Sequence, residues 1–278
     1  GPYDSNSGSK AGQKPGLQSF SGFSGYTGVK YLATDRRERT MAFYDDEEFF
    51  ESYSHMPRSE QGLSAAGEWW QLEAMLPRDL TGMSVLDVGC GCGWHCAWAA
   101  GHGAARVLGI DPSEKMLAEA RARNAHRNIE YRLSAVEGFD WPEEEYELVI
   151  SNLALHYVED LDAVYAGVFR ALKPGGSFVL NIEHPVFTSG VNEDWCYDSS
   201  GNIRHWPVDG YFYPGARSTL FVGCEVTKYH HTLAQIMGGL LRAGFALAAV
   251  DEARPSEAAL RDIPGMADEM RRPMMLLL

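Results

Sequence analysis

Val85–Cys96 reads VLDVGCGCGWHC and decides the fold. Its first half is a short apolar run that stops at Gly89. Gly89, Gly91 and Gly93 then alternate with Cys90 and Cys92, and an apolar segment of helical character resumes at Trp94. This is the pattern of a buried strand, a sharp turn and a helix. Cys90, Cys92, His95 and Cys96 are all metal-capable, but they crowd into one turn, whereas structural zinc sites pair Cys-x-x-Cys arms from separate places. There is no Cys-x-x-Cys redox pair either. The cysteines are expected to be small buried hydrophobes. The glycines have a clearer purpose: they permit positive φ and let a ligand approach the backbone. The site falls at the carboxyl end of a strand, where open α/β sheets bind ligands.

Which ligand follows from the flanking acids. Dinucleotide loops run Gly-x-Gly-x-x-Gly with helix-end amides aimed at a pyrophosphate. Here the third glycine comes one residue early, and Asp87 places a negative charge where that pyrophosphate would lie. A ligand with a cationic portion suits the loop better. Asp111 ends the next strand, about 20 residues on, where an acid accepts hydrogen bonds from ribose hydroxyls. Its alternative role is to cap the following helix. Asp87 has a local alternative too, in capping the turn.

Outward from the loop the chain alternates. Ser59 to Leu76 has helical periodicity, with Ser59 as cap and Pro77 as stop. Then come strand MSVLDVG, helix WHCAWAAGHG, strand ARVLGID, helix SEKMLAEARARNA capped by Ser113, strands NIEYRLS and YELVISN, and helix DLDAVYAGVFRALK. Pro174-Gly175-Gly176 turns into strand SFVLNIE. This rhythm predicts an α/β fold, a doubly wound, mostly parallel sheet with helices on both faces. Residues 184–228 break it, with Phe187, Trp195, Tyr197, Trp206, Tyr211, Phe212, Tyr213 and Phe221 among Gly, Pro and Asn. They are expected to be an aromatic-rich insertion of short strands after the fifth strand. A helix, YHHTLAQIMGGLLRAGF, and two strands, FALAAVDEA and PMMLLL, complete the chain. Residues 1–40 are Gly- and Ser-rich with a basic excess, and are read as a flexible extension or a segment appended for expression, with the domain at 41–278. The rival reading is a lid anchored by Phe20, Phe23 and Tyr26.

The 278 residues carry a formal charge of −14, which disfavours nucleic acid and anionic membranes as partners. No apolar run approaches a bilayer span and no signal peptide is evident. Five cysteines, three of them in one loop, suit a reducing, cytoplasmic compartment.

VLDVGCGCGWH, GIDPSEKML, ISNLALHYVED and LKPGGSFVL, in this order, resemble the class I S-adenosylmethionine-dependent methyltransferases, and more narrowly the small-molecule, type 11-like branch. The resemblance covers about residues 41–278. It implies a seven-stranded sheet of order 3-2-1-4-5-7-6 with the last strand antiparallel, and S-adenosylmethionine as cofactor, leaving S-adenosylhomocysteine. By position, Gly89, Cys90, Gly91 and Gly93 would meet its methionine and ribose, and Asp87 would organise the loop and the amino-acid ammonium. Asp111 would take the ribose hydroxyls, with Pro112 beside it and Met116 against adenine or else in the core. Ala135, Val136 and Glu137 would frame adenine. Ser151, Asn152 and Leu153 would lie beside the sulfonium, and Tyr53 and Arg58 would close over the cofactor. The Asn-Pro-Pro-Tyr signature that resembles base-amino methyltransferases is absent.

His156 and His184 are the candidate general bases. The alternatives are a structural histidine for His156 and a turn residue before Pro185 for His184. Tyr157 leads toward the substrate, and Glu183 would orient His184 or bind a substrate cation. Trp195, Trp206, Tyr211 and Tyr213 would cap the methyl site, with Arg204, His205, Asp209 and His230 as polar groups; such aromatics also make ordinary small cores. The expected activity is methyl transfer to a small molecule. A non-catalytic S-adenosylmethionine sensor or scaffold, a protein or RNA methyltransferase and, more distantly, a dinucleotide oxidoreductase are the rivals. Oligomeric state and the methylated atom are open.

Overall fold

The computed structural model describes residues 42–190 and 193–278. The reading of residues 1–40 lies outside them. Three short helices come first: α1 (Glu47–Ser54), α2 (Pro57–Gln61) and α3 (Trp69–Met75). There follow β1 (Ser84–Val88), α4 (Trp94–Gly101), β2 (Arg106–Asp111), α5 (Glu114–Arg123), β3 (Ile129–Leu133), β4 (Tyr146–Asn152), α6 (Leu161–Ala171) and β5 (Leu172–Glu183). Beyond β5 lie α7 (Pro185–Thr188), the hairpins β6 (Cys196–Tyr197) with β7 (Ile203–His205) and β8 (Gly215–Phe221) with β9 (Cys224–His230), then α8 (Leu233–Ala243), β10 (Asp251–Glu252), α9 (Glu257–Asp262) and β11 (Met275–Leu277).

The main sheet has the order β10-β11-β5-β4-β1-β2-β3. β1 pairs parallel with β2 and β4, and β11 is antiparallel to both its neighbours. This is the expected 3-2-1-4-5-7-6 arrangement. Alternation along β1 sends Val85 to one face and Leu86 and Val88 to the other, and a buried apolar core covers each face. α6 and α8 cover one of them, through Val164, Tyr165, Val168, Ile236 and Leu240. In β5 the pairing jumps from Tyr146–Leu172 to Leu148–Ser177, so Lys173–Gly176 bulges out, with Gly175 at φ +80°.

Two expected elements differ. The helix from Ser59 to Leu76 is broken: α2 is entered at Met56 and Pro57, not capped by Ser59, and a single 3₁₀ turn follows it. Gly62 has φ +70°, and an added Cβ there would lie 2.7 Å from Trp94 Cε3. The chain bends at the glycine to accept the indole. The strand expected within 245–253 is reduced to Asp251 and Glu252, because only Leu276 and Leu277 of the short β11 pair with it. Phe245 and Leu247 instead pack on the core beside α8.

Candidate functional site

The turn after β1 is pinned before any ligand arrives. Gly89, Gly91 and Gly93 all have positive φ. The Gly89 and Cys90 amides both donate to Ile110 O at 2.9 Å, so the loop is tied to the end of β2. A Cβ on Gly89 would overlap Ala154, and one on Gly93 would overlap the Tyr131 hydroxyl. Asp111 Oδ2 accepts from the Gly91 amide at 2.9 Å, and its Oδ1 accepts from the Ser113 amide at 2.9 Å. Ser113, not Asp111, caps α5, accepting from Met116 N at 3.2 Å. Burial pushes Asp111 up to about 6, with the two backbone donors pulling the other way.

Asp87 lies beneath the loop rather than in it. It is 1% exposed, its Oδ2 accepts from Cys96 Sγ at 3.3 Å, and its Oδ1 is buried with no partner. Burial pushes it up to about 7. Cys90 and Cys96 pack their sulfurs over Gly109, and burial pushes Cys90 up to about 11 and Cys96 well above an ordinary thiol. Protonated, buried thiols of this kind are small apolar side chains, not thiolate ligands.

A cavity of about 270 Å³ opens at the carboxyl ends of the central strands. On the β2–β3 side it is lined by Asp111, Pro112, Met116, Val136 and Glu137, and at its middle by Gly89, Cys90, Gly91, Asn152 and Leu153. On the β4–β5 side it meets His156, Tyr157 and Glu183. Tyr53 and Arg58 line it from α1 and α2. Leu153 holds φ +55°, fixed by its amide donating to Asn181 O at 2.8 Å. That is strained backbone for a leucine, held at the cavity wall. His156 is 3% exposed, with Nδ1 unpartnered and Nε2 3.8 Å from Glu183 Oε1. Burial, and next the Lys228 ammonium, hold it well below an ordinary imidazole, so the ring is neutral at pH 7 and no ion pair forms with Glu183.

Other expected residues stand away from the cavity. Gly93 and Ala135 flank the lining residues, and Ser151 Oγ donates to Val88 O at 3.0 Å, stitching β4 to β1. His184 faces a different hollow, beside β10: its Nδ1 accepts from Val186 N at 3.0 Å and its Nε2 lies 3.0 Å from Glu252 Oε1. It is the turn residue before Pro185, and as a general base it is corrected. Trp195 and Trp206 are spent on a small core: Trp206 stacks on Phe187 at 5.1 Å, Trp195 meets it edge-on at 5.1 Å, and the Arg272 guanidinium lies 4.8 Å over it. Tyr211 Oη accepts from Leu233 N at 3.0 Å, and His230 is held by Thr188 Oγ1 at 2.7 Å and by Tyr211 O at 2.9 Å. Arg204, His205 and Asp209 are exposed, and Tyr213 is 78% exposed.

The insertion does reach the cavity, through Phe187, Glu193 and Phe221, with Lys228 of β9 beside them. Lys228 is 3% exposed and its Nζ lies 2.6 Å from Glu183 Oε1 and 3.0 Å from Glu193 Oε2. Period-two alternation in β9 was the available signal: Val226, Lys228 and His230 share the buried face. Glu193 sits in a loop and has no such signal. Phe43 and Tyr44 also roof the cavity, Tyr44 Oη meeting Tyr157 Oη at 3.4 Å.

Residues 85–176 match the family model described as a methyltransferase domain. The chain is 42% identical to a crystallised S-adenosylmethionine dependent methyltransferase from Mesorhizobium loti, with a TM-score of 0.72, covering 78% of this chain and 98% of that one. It belongs to the S-adenosylmethionine-dependent methyltransferases. A Listeria monocytogenes protein assigned to the same group is 47% identical with a TM-score of 0.74, over 78% of this chain and 96% of its own. The ubiquinone biosynthesis O-methyltransferase of Bradyrhizobium sp. is 34% identical over 118 residues, which span 42% of this chain and 43% of that enzyme. The methyltransferase therefore takes S-adenosylmethionine as cofactor. Its loop fits the group: Gly91 brings backbone to the cavity wall, and Asp111, at the same wall, keeps lone pairs beyond its two backbone donors. Among the described residues, no helix is long and apolar enough to cross a membrane.

Proposed function

We propose that this methyltransferase transfers the methyl group to a small molecule by in-line displacement, with residues 184–228 and β9 forming the acceptor side of the cavity. The observation that carries the reading is the roof. Phe43, Tyr44 and Tyr53 from the amino-terminal segment and Phe221 and Lys228 from the β8–β9 hairpin all line a space of about 270 Å³. A space so bounded suits a small acceptor better than a polymer chain, and the charge of −14 opposes a polyanion.

S-adenosylmethionine supplies an electrophilic methyl group on a sulfonium. The chain's own residues then bind, align and exclude water. Asp111 would accept hydrogen bonds from the ribose hydroxyls, and Val136 and Glu137 would frame the adenine. Arg58, held by Glu68 at 2.9 Å, closes the methionine end with Tyr53. Asn152 and Leu153 sit where β4 delivers backbone to the reacting region. Tyr157, Glu183 and Lys228 face the acceptor. The neutral imidazole of His156 is able to accept a proton, although burial makes it a weak base.

The test follows the label. The protein is incubated with S-adenosylmethionine carrying an isotopic methyl group and with a bacterial extract, and the products are separated by ultrafiltration. After unreacted S-adenosylmethionine is removed by chromatography, label is expected in a low-mass product that is absent when the protein is left out. Label confined to protein or RNA refutes the small-molecule reading, and cofactor binding without any transfer favours a sensor or scaffold.

A further inference from the structure

We propose that the acceptor molecule carries a cationic nitrogen, and that Glu183 and Glu193 hold it across the cavity from the glycine loop. This deepens the small-molecule reading and rests on it.

The chemistry starts from a charge imbalance. Two carboxylates, Glu183 and Glu193, share one ammonium, Lys228, and all three line the cavity. The three side chains are 12%, 9% and 3% exposed respectively. His156, 3.8 Å from Glu183, is neutral and balances nothing. Burying an uncompensated charge is costly, and a chain keeps such an arrangement where something else completes it. In its absence, burial and then the adjacent Glu183 push Glu193 up to about 7, so the cluster relieves itself by taking a proton.

The hydrogen-bond count points the same way. Lys228 takes one oxygen of each carboxylate. The second oxygens, Glu183 Oε2 and Glu193 Oε1, are buried with no partner. Ionised carboxylates only accept, so these two atoms need donors. An ammonium or amidinium supplies N–H donors and positive charge together. A carboxylate or phosphate would supply neither, and Lys228 is already committed to the two glutamates.

The surroundings favour a cation as well. Lys228 Nζ lies 5.3 Å over the Phe221 ring and 5.9 Å over Phe187, so the aromatic walls already face one cation. Phe43, Tyr44 and Tyr157 line the same space and offer further π faces.

The test uses three probes of nearly one shape: phenethylamine, 2-phenylethanol and phenylacetate. Each is titrated calorimetrically into protein saturated with S-adenosylhomocysteine, so that no transfer occurs. Phenethylamine is expected to bind at least about tenfold more tightly than the alcohol, with phenylacetate weakest. Glu193→Gln is expected to erase most of that preference while leaving S-adenosylhomocysteine affinity within about twofold. Glu183→Gln serves as the second variant, and retained S-adenosylhomocysteine binding reports that each is folded. Equal binding of the three probes, no binding of any, preference for phenylacetate, or an unchanged preference in both variants overturns the proposal. Those outcomes leave the small-molecule reading standing, because the label-partition experiment decides it separately.

Discussion

Asp87→Asn separates what the cofactor loop costs from what it does. The Asp87 carboxyl is fully buried, and burial moves it from the ordinary carboxylate value to about 7. The folded chain thus binds this proton more tightly than the unfolded chain does. Stability is therefore lost as the pH rises, starting near the unfolded value of about 4 and ending once the pH passes about 7. At about 1.4 kcal/mol per pH unit of displacement, the full cost above pH 7 is about 4 kcal/mol, of which about 2.5 kcal/mol falls between pH 5 and pH 8. Asparagine keeps the shape and an acceptor for the Cys96 thiol but has no charge to bury. Its amide leaves a buried donor unpaired, at about 1–3 kcal/mol independent of pH. Urea unfolding of the cofactor-free protein at pH 5 and pH 8 measures the difference. The variant is expected to gain about 2.5 kcal/mol on wild type between the two pH values, and to end as stable as wild type or more so at pH 8. At pH 8, where the wild-type Asp87 is ionised, the variant is also expected to bind S-adenosylmethionine more weakly, having lost the negative charge beneath the loop. A wild type-to-variant difference that stays constant from pH 5 to pH 8 refutes the reasoning.

Asp111→Ala removes the proposed acceptor for two ribose hydroxyls; at about 1.5 kcal/mol for each charge-assisted bond, S-adenosylhomocysteine affinity measured by calorimetry should fall about 100-fold. In the wild type the same affinity should weaken as the pH drops below about 6, where Asp111 takes its proton. Gly89→Ala combines φ +74° with overlap on Ala154, and should lower both the thermal midpoint and cofactor affinity, whereas Gly82→Ala, also at positive φ but with open space around it, should lower the midpoint and leave affinity unchanged. His184→Ala should cost about 1 kcal/mol by removing the cap of α7 and leave kcat/KM within about threefold, since His184 faces β10 and not the cavity. A loss of kcat beyond tenfold in that variant would restore His184 as a catalytic group.

How much was legible beforehand depended on whether a feature is local. The strand–glycine–helix pattern at Val85–Cys96 is local, and so is the Ser113 cap, and both appear as read. The alternating strands and helices gave the class, and four ordered motifs gave the family and its strand order. Period-two alternation also marks Lys228 as facing inward with Val226 and His230. Trp195, Trp206, Tyr211 and His230 were expected at the acceptor because they are of the right type in the right segment. Type and segment do not say which way a side chain points when the segment is an irregular insertion, and here they point at one another, at Arg272 and at α8.

The sequence by itself determined the sheet, the loop and the acid that ends β2, because strand periodicity, positive-φ glycines and helix caps are properties of neighbours in the chain. Only the tertiary structure decided the β4–β5 side of the cavity. Glu183, Glu193 and Lys228 are brought together across 45 residues, Phe43 and Tyr44 of the amino-terminal segment are laid over Tyr157, and His184 is turned away toward β10. Such contacts are set by how an irregular insertion packs against the sheet edge, and packing is decided by the shape and charge of what lies opposite, which no local pattern records.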